Sequence, residues 1–216
     1  MPDADSAPRG TVTAAPKGWG ARVASHPSWW WLPCWTALAA FVLIEITLRR
    51  GLPVNPDGWW YWQGALGLAE GRGYIGLQGE PLVAWPVGFS WWLSLWIRGF
   101  GDGAGTLIHA LAAATAVAAA GWTLLAQRVQ YSCTTQAGLL PIVAVAVFVP
   151  CFLALQVRAL HAETLLDALL PWTLLAALSS GRGWLAMVAA AVGFALCLLI
   201  RNSAPVFLPG LVYLVY

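Results

Sequence analysis

Asp57 and Tyr61, an acid and a phenol four residues apart, are the first pair in this sequence whose types and spacing suit chemistry. Residues so spaced share a helix face. A carboxylate in that place can take a proton from an attacking hydroxyl or help hold a divalent cation. It can equally cap a helix by accepting from free backbone N–H groups. Glu163 and Asp167 repeat the spacing within the run Arg158-Ala-Leu-His-Ala-Glu-Thr-Leu-Leu-Asp. The two acids could steer an acceptor or share a cation, or form a solvated helix end that Arg158 partly neutralises. Arg201-Asn202-Ser203 interrupts two apolar runs. A guanidinium there suits a phosphate, which it grips with two parallel hydrogen bonds; the plain alternative is a basic flank between spans.

Other chemistries find little support. His109 and His161 lack the clustered ligands of a zinc site and read as interhelical hydrogen-bond formers. Cys34, Cys133, Cys151 and Cys197 stand far apart with no CxxC pair, so they read as small buried hydrophobes. Gly99 to Gly105 matches no phosphate-loop pattern and reads as a turn. A net charge of +2 with scattered basic residues implies no nucleic-acid partner.

The elements that must position these residues are set by composition. Sixty per cent of the 216 residues are apolar and nine per cent charged, against roughly a quarter charged in a soluble domain. Thr106 to Gln127, Ala137 to Gln156 and Trp184 to Ile200 carry no Asp, Glu, Lys or Arg, and each is near the roughly 17 to 25 residues of a membrane-crossing helix. They are apolar on all sides and rich in Ala and Leu, whereas a membrane barrel needs alternating segments of about ten residues. The expected class is all-α: a polytopic transmembrane helical protein whose long first extracytoplasmic loop carries interfacial helices.

Residues 1–27 lack an apolar period, are rich in Ala, Pro and Gly and carry Arg9, Lys17 and Arg22. They read as a disordered cytoplasmic tail. Residues 28–216 form the transmembrane domain. Its first span runs from about Ser28 to Leu48, opened by Trp29, Trp30 and Trp31, with no small-x-small site after it, so it reads as an uncleaved anchor. Asp57 to Glu70 is predicted as a short helix that Asp57 caps and Gly71 ends. Pro86 to Arg98 is a second, about 20 Å long at 1.5 Å per residue and too short for a core near 30 Å, so it is placed in the interface. Further spans are expected at 105–127, 136–156, 163–180 and 184–200, with another from about Ala204. Arg128 and Arg182 then face the cytoplasm, and Asp57, Glu163 and Arg201 lie outside. The chain stops at Tyr216 inside the last apolar run, which reads as the N-terminal part of a longer polypeptide.

Several landmarks occur together in order. Asp57-x-x-x-Tyr61-x-x-x-Ala65 is followed by Glu70-Gly71-Arg72-Gly73-Tyr74, then Trp85-Pro86-Val87-Gly88-Phe89 and Gly99-Phe100-Gly101-Asp102. An Ala- and Leu-rich stretch ending Leu125-Ala126-Gln127-Arg128 comes next, then Pro150, Glu163 and Arg201. Over about residues 30 to 210 this series resembles the N-terminal half of a GT-C superfamily glycosyltransferase, the group that includes protein O-mannosyltransferases and lipid A aminoarabinose transferases. The resemblance implies that Asp57 is catalytic, with Glu163 at a second acidic position. Tyr61, Arg72, Glu80 and Arg201 are then candidates for substrate binding. Many members carry Asp-Glu where this chain has Asp57-Gly58, and Glu80 is the candidate replacement for that missing acid.

The implied reaction moves a sugar from a polyprenyl-phosphate donor to a hydroxyl of a lipid, glycan or protein acceptor. Its setting would be the outer face of a bacterial inner membrane, with membrane lipids around the spans. No cofactor is required by the pattern; a divalent cation is compatible with it, and its ligands are unknown. A transporter or a non-catalytic assembly subunit fits the apolar composition as well, although transporters tend to place ionisable sites near the midplane.

Overall fold

The computed structural model describes residues 31–133, 139–157, 160–179 and 183–201. The expected tail at 1–27, the span from Ala204, Arg158 and Arg182 lie outside these residues. Within them seven helices follow in order: α1 (Trp31–Leu48), α2 (Pro56–Ala69), α3 (Val87–Phe100), α4 (Ala104–Cys133), α5 (Leu139–Gln156), α6 (Glu163–Ala177) and α7 (Trp184–Ile200). Among the described residues the only β pairing is an isolated antiparallel bridge between Ile75 and Pro81. The class is all-helical, as the sequence leads one to expect.

Local chemistry sets the boundaries. Asn55 caps α2, its side chain accepting from the Gly58 N–H, with Pro56 at the first helical position. This differs from the expectation that Asp57 is the cap: Pro56 already suits the first turn and the preceding Asn supplies the acceptor, which leaves the Asp57 carboxylate free. Extended Pro86 precedes α3, and Gly101 ends it with φ 88°, a conformation that favours glycine. The helix α4 runs thirty residues, so Arg128 lies within it and not in the short turn expected there. It carries no proline, whereas Pro150 and Pro171 fall inside α5 and α6. Among the described residues two helices are long and apolar enough to cross a membrane, Trp31–Leu48 and the Ala104–Val129 part of α4. The apolar stretches Ala146–Leu155 and Trp184–Ile200 are shorter.

Side-chain contacts fix the direction of each helix. Thr123 donates to Thr36 at 3.1 Å and His109 meets Glu45, so α1 and α4 run antiparallel. Trp172 donates to the Val117 carbonyl at 3.2 Å and Arg128 to the Leu178 carbonyl at 2.6 Å, so α6 runs parallel to α4. A Cβ at Gly121 would stand 2.7 Å from Pro171 and one at Gly193 would meet Thr173; the first closes α4 on α6 and the second closes α7 on α6. With Ala177 packed on Ala190, α7 is antiparallel to α6. The C-terminal ends of α1 and α7 and the N-terminal ends of α4 and α6 therefore meet at one end of the bundle.

The same logic locates α3. Its start packs on the end of α7, where a Cβ at Gly88 would stand 2.6 Å from the Leu199 carbonyl oxygen. Its last residue, Phe100, accepts from Thr106 at the start of α4, at 3.3 Å. Both ends of α3 thus lie at the same end of the bundle, and the helix crosses that end instead of running the bundle's length. It buries Phe89, Ser90, Leu93, Ser94 and Ile97 while Trp91 and Leu95 stay exposed.

Candidate functional site

The site is assembled where α2, α3, α6 and α7 converge. Asn55 Oδ1 is committed to the Gly58 N–H at 2.7 Å, so its Nδ2 is the group that donates to His161 Nδ1 at 3.0 Å. His161 Nδ1 is the acceptor in this contact and also lies 3.9 Å from the Glu163 carboxylate. Leu160 N–H donates to the Pro53 carbonyl at 3.3 Å, and a Cβ at Gly58 would come within 2.5 Å of the Leu160 carbonyl oxygen. Glycine at 58 thus lets the first turn of α2 seat directly on the α5–α6 connection. A glutamate there, as in the Asp-Glu pair of the resembling family, would have its own Cβ in that contact.

Asp57 is exposed in the first turn of α2, where a negative charge is favoured by the helix dipole. Trp85 Nε1–H reaches its Oδ1 at 3.4 Å. Trp85 is in turn stacked on Trp60 with ring centroids 5.1 Å apart. Tyr61, only 1 % exposed, meets Phe89 edge-to-face at 5.3 Å, and its carbonyl accepts from Ser90 at 2.8 Å. The helix α3 therefore holds Tyr61 in place.

Arg201 and Glu163 close the cluster, with Nη2 to Oε1 at 2.8 Å. Their side chains are 35 % and 45 % exposed, so solvent screens the pair and it adds no more than about 1 kcal/mol to stability. The Tyr61 phenol feels all of these charges. Burial pushes its pKa above the usual 10; Arg201 opposes this, and Glu163 and Asp57 add to the rise. Arg201 is close enough to act on the hydroxyl, yet that buried oxygen has no hydrogen-bond partner of proper geometry among the described residues. Next to the cluster is a cavity of about 220 Å³ lined by Val157, His161, Glu163, Thr164 and Asp167. Among the described residues no three His, Cys, Asp or Glu side chains gather as a cation site.

Of the residues singled out in the sequence, Asp57, Tyr61, Glu163 and Arg201 come together. Arg72 and Glu80 do not join them. Arg72 is paired with Glu70 beyond the C-terminal end of α2, about 20 Å from Asp57 at 1.5 Å per residue. Glu80 belongs to a small turn in which Gly76 N–H donates to the Glu80 carbonyl at 2.8 Å. Its carboxylate packs over Gly76 and leaves one buried oxygen without a partner. The loop that carries it is held to the second half of α2 by Gln63, which accepts from the Leu77 N–H at 3.1 Å. Glu80 is thus held in its own turn and not beside Asp57 as a second acid.

His109 forms an interhelical hydrogen bond, as expected, whereas His161, in the connection before α6, bonds to the cap residue Asn55 outside the helices. The partner of His109 is Glu45, a residue the sequence reading passed over. Glu45 lies within α1, is 8 % exposed and also meets Arg49 at 3.3 Å, so that apolar helix is not free of charge. A lone acid inside an apolar run was the signal. Asn55 and Trp85 were missed as well; the Asn-Pro pair at a helix start was legible, whereas the Trp85 contact spans 28 residues and left no local mark.

Comparison with models of known protein families, with curated proteins and with solved structures finds no match to this chain.

Proposed function

We propose that this chain is a membrane-embedded glycosyltransferase that moves a sugar from a polyprenyl-phosphate donor to an acceptor hydroxyl at the extracytoplasmic face. The observation that carries the reading is the convergence of Asp57, Tyr61, Glu163 and Arg201 at one end of an apolar bundle, beside a cavity. The ordered landmarks of the sequence, which resemble a GT-C glycosyltransferase, support it independently. In this reading the bundle spans the membrane with its N-terminus cytoplasmic, and α3 lies in the outer interface with Trp91 and Leu95 toward lipid.

The chemistry asked of the site is a displacement at the anomeric carbon. Asp57 takes the proton of the acceptor hydroxyl, the acceptor oxygen bonds to the sugar, and the bond to the phosphate oxygen breaks with its electrons remaining on the phosphate. Exposure in the first turn of α2 leaves Asp57 accessible as a base. Arg201 offsets the charge that develops on the departing lipid phosphate, where fixed donors in a partly dry site are most effective. Glu163 orients Arg201 through their ion pair.

A transporter reading draws on one specific feature, the Glu45–His109 pair between α1 and α4. It lies near the C-terminal end of α1, at the same end as the acid cluster and not midway along the bundle, where transport sites are usually built. The enzyme reading is therefore preferred.

The test uses the purified protein in liposomes with a panel of undecaprenyl-phosphate sugars, radiolabelled in the sugar, and a membrane lipid and glycan extract as acceptor. Label should move to an acceptor, with release of undecaprenyl phosphate. If no donor in the panel is bound or turned over, the proposal fails.

A further inference from the structure

Arg201 is already engaged before any ligand arrives. One carboxylate oxygen of Glu163 occupies its Nη2 at 2.8 Å, and that nitrogen carries two of the five guanidinium N–H donors. The hydroxyl of Tyr61, on a residue 1 % exposed, lies within reach of the same guanidinium and finds no acceptor among the described residues. Buried polar groups are nearly always paired, so among the described residues the Tyr61 hydroxyl is a buried donor that lacks an acceptor, beside a guanidinium that is itself built to hold an anion. A phosphate oxygen has the charge and the lone pairs to serve both. Glu163 stands in the first turn of α6 with its side chain 45 % exposed, and the cavity beside it gives the carboxylate room to turn away.

We infer that Glu163 is the resident counter-ion of Arg201 and gives way to the incoming phosphate, which then takes the guanidinium and the Tyr61 hydroxyl as its donors. The inference rests on the glycosyltransferase reading for the carrier of that phosphate, a polyprenyl chain. It gives Glu163 a role distinct from a base: the carboxylate holds Arg201 in position and keeps it from pairing with other anions, and it competes with the ligand. Leaving Glu163 and a phosphate on the same guanidinium would set two anions side by side, which favours exchange over sharing.

Removing the competitor should therefore tighten binding while impairing turnover, a split that loss of a base does not produce. Wild type, Glu163→Gln, Glu163→Ala and Tyr61→Phe are placed in lipid nanodiscs and titrated with undecaprenyl phosphate, and separately with uncharged undecaprenol. Quenching of tryptophan fluorescence reports binding, and thermal unfolding confirms that each variant is folded. Both Glu163 variants should bind undecaprenyl phosphate about 3- to 10-fold tighter, the scale of a partly screened ion pair plus one removed repulsion. Tyr61→Phe should bind it about 3- to 10-fold more weakly. Undecaprenol should bind all four proteins alike.

Should Glu163→Gln not fold, Glu163→Asp takes its place, because the shorter side chain cannot hold Arg201 at the same distance. Unchanged or weaker phosphate binding by the folded Glu163 variants overturns the exchange while leaving the glycosyltransferase reading in place. Equal tightening toward undecaprenol also overturns it, since the phosphate would then be irrelevant. If wild type and every variant fail to bind undecaprenyl phosphate, both the exchange and the enzyme reading fall. Addition of inorganic phosphate separates the two sources of the anion: competition at millimolar levels supports a site made for the phosphate group itself, whereas tightening that survives saturating inorganic phosphate overturns the assignment of Arg201 and Tyr61 as its donors.

Discussion

Asn55 and His161, 106 residues apart in sequence, are joined side chain to side chain at 3.0 Å. The same Asn55 amide caps α2 through the Gly58 N–H at 2.7 Å. One side chain therefore starts the helix that carries Asp57 and ties it to the turn that carries Glu163. Because the cap fixes which end of the amide accepts, it also fixes which end meets the imidazole. The relative placement of the two acids is thus set by a neutral residue that has no chemical role of its own.

Asn55→Ala should remove both bonds. Loss of an N-cap costs about 0.5 to 2 kcal/mol, and a side-chain hydrogen bond adds about 0.5 to 1.5 kcal/mol. Thermal unfolding in detergent should show a loss of about 1 to 3 kcal/mol. Asn55→Asp keeps the cap but offers His161 an acceptor in place of a donor, so its loss should be the smaller. Equal losses for the two variants would mean that the cap contributes nothing.

Glu45 is the buried carboxylate of α1, held by His109 across the helix interface and by Arg49 one turn on. His109→Ala leaves the acid with Arg49 alone, whose side chain is 71 % exposed. A buried charge stripped of a partner is costly, and the expected loss is about 1 to 3 kcal/mol. Glu45→Gln in the His109→Ala background should restore part of it, since the amide carries no charge to strand. A double-mutant cycle with no coupling between the two positions would contradict this account.

The fold was legible in this sequence to the extent that local chemistry decides it. Charge-free runs rich in Ala and Leu marked the helices near 106–127, 137–156 and 184–200, and Pro86 marked the start of α3, which runs on past the expected end at Arg98 to Phe100. What sequence could not supply is the pairing of distant segments. Gly58 looks like a missing acid beside Asp57, yet its place is set by the Leu160 backbone, 102 positions later. Arg72 follows Asp57 closely in the chain, yet a helix of fourteen residues carries it to the far end. Arg201, remote in sequence, arrives beside Tyr61 because α6 and α7 are antiparallel. Sequence proximity misleads wherever a helix intervenes, and the Glu163–Arg201 pair of the site is made between the start of α6 and the end of α7.

Tyr61→Phe isolates the buried hydroxyl. The ring and its contact with Phe89 are kept, and a buried donor without a partner is removed, so the ligand-free protein should gain about 1 kcal/mol. For a chain of this length that is about 2 to 4 °C in Tm. The gain should be constant between pH 6 and 9, because burial raises the phenol above its usual 10 and keeps it protonated there. Above pH 10 the unfolded phenol ionises before the folded one, so wild type loses stability and the gap to Tyr61→Phe widens. A variant less stable than wild type would show that the hydroxyl is satisfied by water or by Arg201.

Asp57→Asn tests the base assigned to the site. The side chain is exposed, its one contact is a long bond from Trp85, and Asn55 is the cap, so folding and Tm should be unchanged within about 0.5 kcal/mol. Size and hydrogen bonding are largely retained, while proton affinity and charge are lost. Transfer from a polyprenyl-phosphate donor should then fall by the roughly 10²- to 10⁴-fold typical of a removed general base. Binding of undecaprenyl phosphate should persist, because Arg201 and Tyr61 are intact. Arg201→Ala should reverse the pattern, with donor binding lost first and the loss depending on the lipid phosphate, not on the acceptor. The comparison is made in liposomes at matched protein levels, with turnover and donor binding measured on the same preparations. Near-normal turnover by Asp57→Asn would remove it as the base and leave Glu163 as the remaining carboxylate of the cluster to test.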